Sequence, residues 1–229
     1  MEPEGQTYHA AASTPRRMPS SPVDPPNEAL AVAERYRRLE RPLSAGFALL
    51  VAVGGVAVAF TFLPFLQAVV AALVLAAAVQ LPVFGSGGTT RLRTDADPET
   101  VSESFAGPTP PVLAFQWGVA DAVRRTDDGA VYDLSYLFGL RSVEMRVEPT
   151  TEVDPLELRV TADGAPWATY RVSVAGTDDG TVVDVTVDSD RRFGPNRVPQ
   201  WFVAERYREA ALAAQGYTVE RRDHSLSVL

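Results

Sequence analysis

Few side chains in this sequence are of types that do chemistry. The acidic pairs Asp127-Asp128 and Asp178-Asp179 could hold a divalent cation, but each stands just before a glycine and reads more simply as a solvated turn. Asp184, Asp188 and Asp190 recur at even spacing, which is the wet face of one strand. The only histidines, His9 and His224, lie close to the termini, and there is no cysteine. Disulfides, thiolate metal sites and a cysteine nucleophile are therefore excluded, and a histidine-based metal site or a Ser-His-Asp triad has almost no material. Gly85-Ser86-Gly87-Gly88 lacks the lysine of a phosphate loop and leads into a strand, so it reads as a flexible linker. No catalytic residue, metal ligand or cofactor site is assigned. An enzyme would need titratable groups that converge in a pocket, and Asp133, Glu144 and Glu157 are the residues to watch.

The charge balance narrows the partners. All 21 basic residues are arginine, against 29 acidic residues, for a net charge of -8. Arg191-Arg192 and Arg221-Arg222 are too few on an acidic chain to suggest nucleic acid as a partner. An acidic, lysine-free composition resembles that of proteins from halophilic archaea, where hydrated carboxylates keep a surface soluble in high salt.

The elements that would have to position any site begin with an apolar block. No charged residue occurs between Arg41 and Arg91. A spanning helix needs about 20 apolar residues for a hydrocarbon core of about 30 Å. Residues 43–84 are twice that, and Pro64 breaks them in the middle. The expectation is two transmembrane helices in a hairpin with the lipid bilayer as partner, a re-entrant hairpin being the rival. Arg35, Arg37, Arg38 and Arg41 precede the block and Arg91 and Arg93 follow it, which places both termini on the cytoplasmic side of a cell membrane. Residues 1–27 are rich in proline and small polar residues and read as a disordered tail. Residues 28–42 read as a juxtamembrane helix capped by Asn27, residues 85–88 as the linker, and residues 89–229 as a soluble α+β domain.

In that last domain apolar residues alternate with polar ones. Tyr132, Leu134 and Tyr136 fall on one face, as do Val143, Met145 and Val147, then Leu156, Leu158 and Val160, then Tyr170, Val172 and Val174, then Val183, Val185 and Val187. Period two with one wet face means antiparallel strands. Asp128-Gly129, Asp163-Gly164 and Asp179-Gly180 supply the hairpin turns between them. Pro98 opens a short helix over 98–105, a second short helix is expected near 110–115, and a long one over about 197–215 has Val203, Tyr207, Ala210, Ala211 and Ala214 on one face, with Gly216 just past its end. A last short strand is expected over 217–228.

The opening TRLRTDADPETV, the Asp-Gly meander and the segment FGPNRVPQWFVAERYREAAL together resemble the helix-grip fold of the START/Bet v 1-like (SRPBCC, polyketide cyclase-like) superfamily. The resemblance implies a curved sheet wrapped around a long C-terminal helix with an apolar cavity between them. It also implies ligand-cavity roles for some of Trp117, Tyr132, Tyr136, Tyr170 and Trp201, whose alternative is ordinary core. The functional expectation is a membrane-tethered domain that binds an apolar or lipid-like ligand. The alternative is a membrane-anchored interaction or scaffolding module without a ligand.

Overall fold

The computed structural model describes residues 21–23, 25–78, 81–136, 141–150, 155–195 and 198–228. After a two-residue strand β1 (Ser21–Pro22), helix α1 runs unbroken from Asn27 to Phe62 and α2 from Phe65 to Ala78. Strand β2 (Phe84–Thr94) follows, then α3 (Pro98–Ala106), a short 3-10 helix (Pro111–Leu113) and α4 (Ala114–Trp117). The meander is β3 (Ala122–Thr126), β4 (Gly129–Tyr136), β5 (Arg141–Thr150), β6 (Leu156–Ala162), β7 (Ala165–Thr177) and β8 (Gly180–Ser189). Helix α5 (Val198–Ala213) and strand β9 (Thr218–Val228) complete the chain.

Among the described residues one sheet holds nine strands in the order β1-β3-β4-β5-β6-β7-β8-β2-β9, every neighbouring pair antiparallel. The fold is α+β. The three Asp-Gly pairs turn β3 into β4, β6 into β7 and β7 into β8. Gly129, Gly164 and Gly180 all take the positive φ that such turns need. The alternating positions meet on the concave face, where Tyr132, Leu134, Met145, Val147, Leu158, Val160, Val172, Val183 and Val185 are buried against helical residues. Those are Val101 and Phe105 of α3, Leu113, Ala114 and Trp117 of the next two helices, and Ala211 and Leu212 of α5.

The helix ends follow their local chemistry. Asp97 caps α3, its carboxylate accepting from the Thr100 amide at 2.9 Å and the Thr100 hydroxyl at 2.7 Å. Gly216 ends α5 with φ +83°, donating to the Ala213 carbonyl while the Tyr217 amide donates to Leu212, both at 3.0 Å. Leu212 and Tyr217 are then buried together, the hydrophobic contact that accompanies this glycine-terminated motif. The expected seam of α5 is corrected by one position. Leu212 is buried where Ala210 is exposed.

Four further expectations change. Asn27 is the first helical residue and Pro26 the cap. The juxtamembrane helix and the first apolar helix are one rod of 36 residues, not two elements. The start of that rod belongs to the domain: Ala29 and Ala33 are fully buried, and Val23 donates to the Val123 carbonyl beside β1. The domain therefore begins before the hairpin rather than after it. Finally, residues 85–88 are not a linker but part of β2, paired with β8 and β9. Gly88 is there because the backbone of His224 comes within 2.8 Å of where a side chain would start.

The hairpin itself turns where proline dictates. Leu63, before Pro64, is extended at φ -121° and ψ 148°, and its amide donates to the Ala59 carbonyl at 2.9 Å. Small residues let the two helices close: Ala59 and Ala68 are buried, and Gly55 faces the Leu75 side chain. The expected second pass to Phe84 is shortened. Helix α2 has 14 residues, about 21 Å at about 1.5 Å per residue, and Phe84 is already pairing in the sheet with Val228. Among the described residues no helix is long and apolar enough to cross a membrane.

Candidate functional site

The concave face divides into two halves with different chemistry. Beneath α3 and α4, Trp117 and Tyr132 are wholly buried. Their polar atoms are satisfied by the proline-rich segment between those helices. The Trp117 indole N–H donates to the Pro110 carbonyl and the Tyr132 hydroxyl to the Pro108 carbonyl, each at 2.9 Å. The Pro110 carbonyl also accepts from the Leu113 amide at 2.9 Å, so the indole takes its second lone pair. This half of the face is packed as core.

In the α5 half the aromatics are half-buried, and Trp167 and Tyr170 pack against that core. Tyr170 of β7 points to the same face as the buried Ala168 and Val172 but is only partly buried, and its hydroxyl makes no hydrogen bond among the described residues. Burial pushes its phenol above the ordinary tyrosine range, and the Arg208 guanidinium of α5 partly offsets this. The same cause raises Tyr132, with the Tyr170 phenolate adding to it. Trp201, in the first turns of α5, and Trp167, early in β7, are partly buried. Of the five aromatics marked in the sequence, the structure brings Trp117 and Tyr132 into the packed half and leaves Tyr170 and Trp201 in the α5 half. The side chain of Tyr136 lies outside the described residues, as do residues 137–140. Arg208 was not anticipated. Nothing in its spacing separates it from Arg206, the other arginine of α5.

The remaining titratable candidates are on the convex face. Asp133 accepts from Arg124 at 2.7 Å, Glu144 from Arg146 at 2.7 Å, and Glu157 from Arg159 at 3.3 Å. Across the strands, Arg91 meets Asp184 at 2.8 Å and Arg171 meets Asp188 at 2.6 Å, while Arg93 meets Glu220. The Arg91 contact holds the Asp184 carboxyl below the usual carboxylate range. Asp127 and Asp128 line an open, polar groove of about 670 Å³ with Arg125 and Glu148, at the end of the sheet away from Phe84. Among the described residues no group of three or more acidic or histidine side chains could hold a metal ion. His224 lies on the edge strand β9, its Nε2 3.0 Å from the Thr90 hydroxyl of β2.

No family model matches the chain, and no curated protein is similar enough to count as a relative. Solved structures do resemble it. A START superfamily protein from Mycobacterium smegmatis aligns at 15% identity and a TM-score of 0.39, covering 58% of this chain and 97% of its own. A protein from Chromobacterium violaceum aligns at 15% identity and a TM-score of 0.40, covering 56% of this chain and 97% of its own. A conserved protein from Geobacillus kaustophilus aligns at 14% identity and a TM-score of 0.38, covering 61% of this chain and 98% of its own. At that level of similarity the likeness carries no assignment of activity, and the α+β architecture stands on this chain's own strands and helices.

Proposed function

We propose that this chain is a membrane-anchored binding module. The α1–α2 hairpin sits in the bilayer, the α+β domain faces the cytoplasm, and the α5 half of the concave face takes an apolar or lipid-like ligand. One observation carries the anchoring. Every large apolar side chain that is strongly exposed among the described residues lies between Leu50 and Leu81, with Phe62 at 79%, Leu66 at 74% and Phe65 at 73%. Water does not tolerate an apolar surface of that extent on a stable monomer, and acyl chains do. Thr61, inside the hairpin, returns its hydroxyl to the Ala57 carbonyl at 2.7 Å, which suits a medium without water.

The ligand reading is supported by Tyr170, an inward aromatic beside a cationic helix residue, its hydroxyl without a hydrogen-bond partner among the described residues. The test is native mass spectrometry of the detergent-extracted protein. The reading expects co-purified lipid that is lost in Tyr170→Phe combined with Trp201→Ala. A bare protein mass under gentle activation contradicts it.

The packed half around Trp117 and Tyr132 favours the scaffolding alternative, because it removes room for a ligand. A ligand-free protein that still recruits one defined partner through its domain would establish that reading instead.

A further inference from the structure

The register of the sheet fixes which of its ends faces the hairpin. Phe84, first in β2, pairs with Val228, Gly87 with Asp188, and Ser189 with Ala168. The β6–β7 turn at Ala162–Ala165 and the start of β5 at Arg141 lie at this same end. The loop after β8 is pinned there too. Phe193 and Phe84 exchange two backbone hydrogen bonds, at 2.8 and 3.0 Å, and their rings lie 6.0 Å apart. The opposite end carries the Asp128-Gly129 and Asp179-Gly180 turns and the loop from Thr94 to Asp97.

Charge is sorted between these ends. Asp95, Asp127, Asp128, Asp178 and Asp179 stand at the far end, with Arg125 among them. At the hairpin end Arg141, Arg191 and Arg192 are exposed and form no ion pair among the described residues. The arginines of the convex face between the two ends, including Arg91, Arg93, Arg146, Arg159 and Arg171, meet carboxylates. Three exposed carboxylates share this end: Asp121 just before β3, Asp163, whose Oδ1 accepts from the Glu144 amide at 2.9 Å, and Asp190. Arg91 and Arg93 follow the hairpin closely in sequence but not in space. Arg91 stands seven residues along β2 from Phe84, about 23 Å at about 3.3 Å per residue, and is neutralised by Asp184. The loop after β8 brings Arg191 and Arg192 to the place those two leave empty.

We propose that the hairpin end of the sheet is a docking face for anionic phospholipid headgroups, with Arg141, Arg191 and Arg192 binding phosphate and Phe193 entering the interface. The proposal rests on the membrane reading above. The length of α2 argues for it independently of charge. A helix of 14 residues spans about 21 Å against a hydrocarbon core of about 30 Å. The apolar hairpin tip, Phe60 to Leu66, therefore reaches deepest when the base of the domain is drawn down among the headgroups. The exposed Leu81 continues the apolar surface up to that base. Arginine suits this position because its planar fork meets a phosphate with two hydrogen bonds. A far end dominated by aspartate is repelled by the same surface, so the domain stands upright with β7 along the membrane normal.

The absence of cysteine makes β7 a ruler. Ala165→Cys and Ala175→Cys, both exposed, place a fluorophore at either end of one strand, about 33 Å apart at about 3.3 Å per residue. Each full-length variant is reconstituted at low salt into phosphatidylcholine vesicles with and without phosphatidylglycerol at about a third of the lipid, and quenched by headgroup nitroxides. The expected result is strong quenching at position 165, weak quenching at 175, and an increase at 165 with phosphatidylglycerol. The triple variant R141Q/R191Q/R192Q should lower the 165 signal about twofold or more, and the corresponding lysine triple should restore most of it. Equal quenching at the two ends, or a 165 signal indifferent to phosphatidylglycerol and to the glutamine triple, overturns the docking face while the protein resists carbonate extraction. Release of the protein by carbonate overturns the membrane reading and the docking face with it.

Discussion

Ala33 of α1 stands against Gly118 at the end of α4, so close that a methyl built on the glycine would come within 2.7 Å of the alanine Cβ. This contact joins the helix that enters the hairpin to the middle of the domain that follows it. The start of α1 is thus packed into the domain, and the helix that leads to the hairpin is held by the core.

Gly118→Ala tests that contact. The added methyl meets both Ala33 and the Ala114 carbonyl, so overpacking should cost about 1–3 kcal/mol. Chemical denaturation of the detergent-solubilised protein reads the loss, and Ala33→Gly in the same background should recover part of it.

A fragment limited to residues 82–229 should fold poorly. It exposes the surface that Ala29, Ala33 and Val23 cover and leaves the edge of β3 without β1. A version in which residues 21–35 are joined to it by a flexible linker should melt cooperatively at a clearly higher temperature. Equal melting of the two fragments would show that the N-terminal segment is an accessory.

The division of the concave face predicts opposite outcomes for two similar changes. Tyr132→Phe removes the donor to the half-buried Pro108 carbonyl and should cost about 1 kcal/mol. Tyr170→Phe removes a hydroxyl with no described partner and should change stability by less than about 0.5 kcal/mol. Its effect should appear in lipid retention instead.

Much of this was legible in the sequence, for physical reasons that separate what was from what was not. Alternation identified the buried face of β4 through β8, because a side chain's face depends only on its parity along the strand. The Asp-Gly pairs marked hairpins because positive φ is a local demand. Three features were not legible. Gly85-Ser86-Gly87-Gly88 has the composition of a linker, and only its pairing with the distant β8 and β9 (Gly87 with Asp188, Gly85 with Ser227) makes it strand. Arg91 and Arg93 looked like flanking charges because sequence distance from the hairpin is short, whereas β2 carries them up the sheet. Among the aromatics, Trp117 and Tyr132 could not be told from Tyr170, since what distinguishes them is the carbonyls of Pro108 and Pro110 reaching over one half of the face.

The ionisable groups give a two-sided pH profile. Burial raises Tyr132, Tyr170 and Tyr217, so their contribution is intact below the unfolded tyrosine value of about 10 and is lost as pH rises beyond it. Asp184 is lowered by Arg91 and Asp97 by Thr100. Their contribution is present above the unfolded aspartate value of about 3.9 and is lost as pH falls through the folded values. Thermal melts across pH should therefore decline at both extremes, with the alkaline decline accompanied by a late, cooperative rise in phenolate absorbance. Asp97→Asn should weaken the acid limb and leave the alkaline one unchanged.

The central claim is that the exposed apolar surface of the α1–α2 hairpin is covered by lipid. Its most direct measurement is flotation of the full chain, expressed with membranes present, through a density gradient after an alkaline carbonate wash. The account predicts that the protein floats with the vesicles and that replacing Phe62, Phe65 and Leu66 together with aspartate releases it. A full-length chain that stays at the bottom of the gradient, and remains dissolved and monodisperse in buffer without detergent, contradicts it.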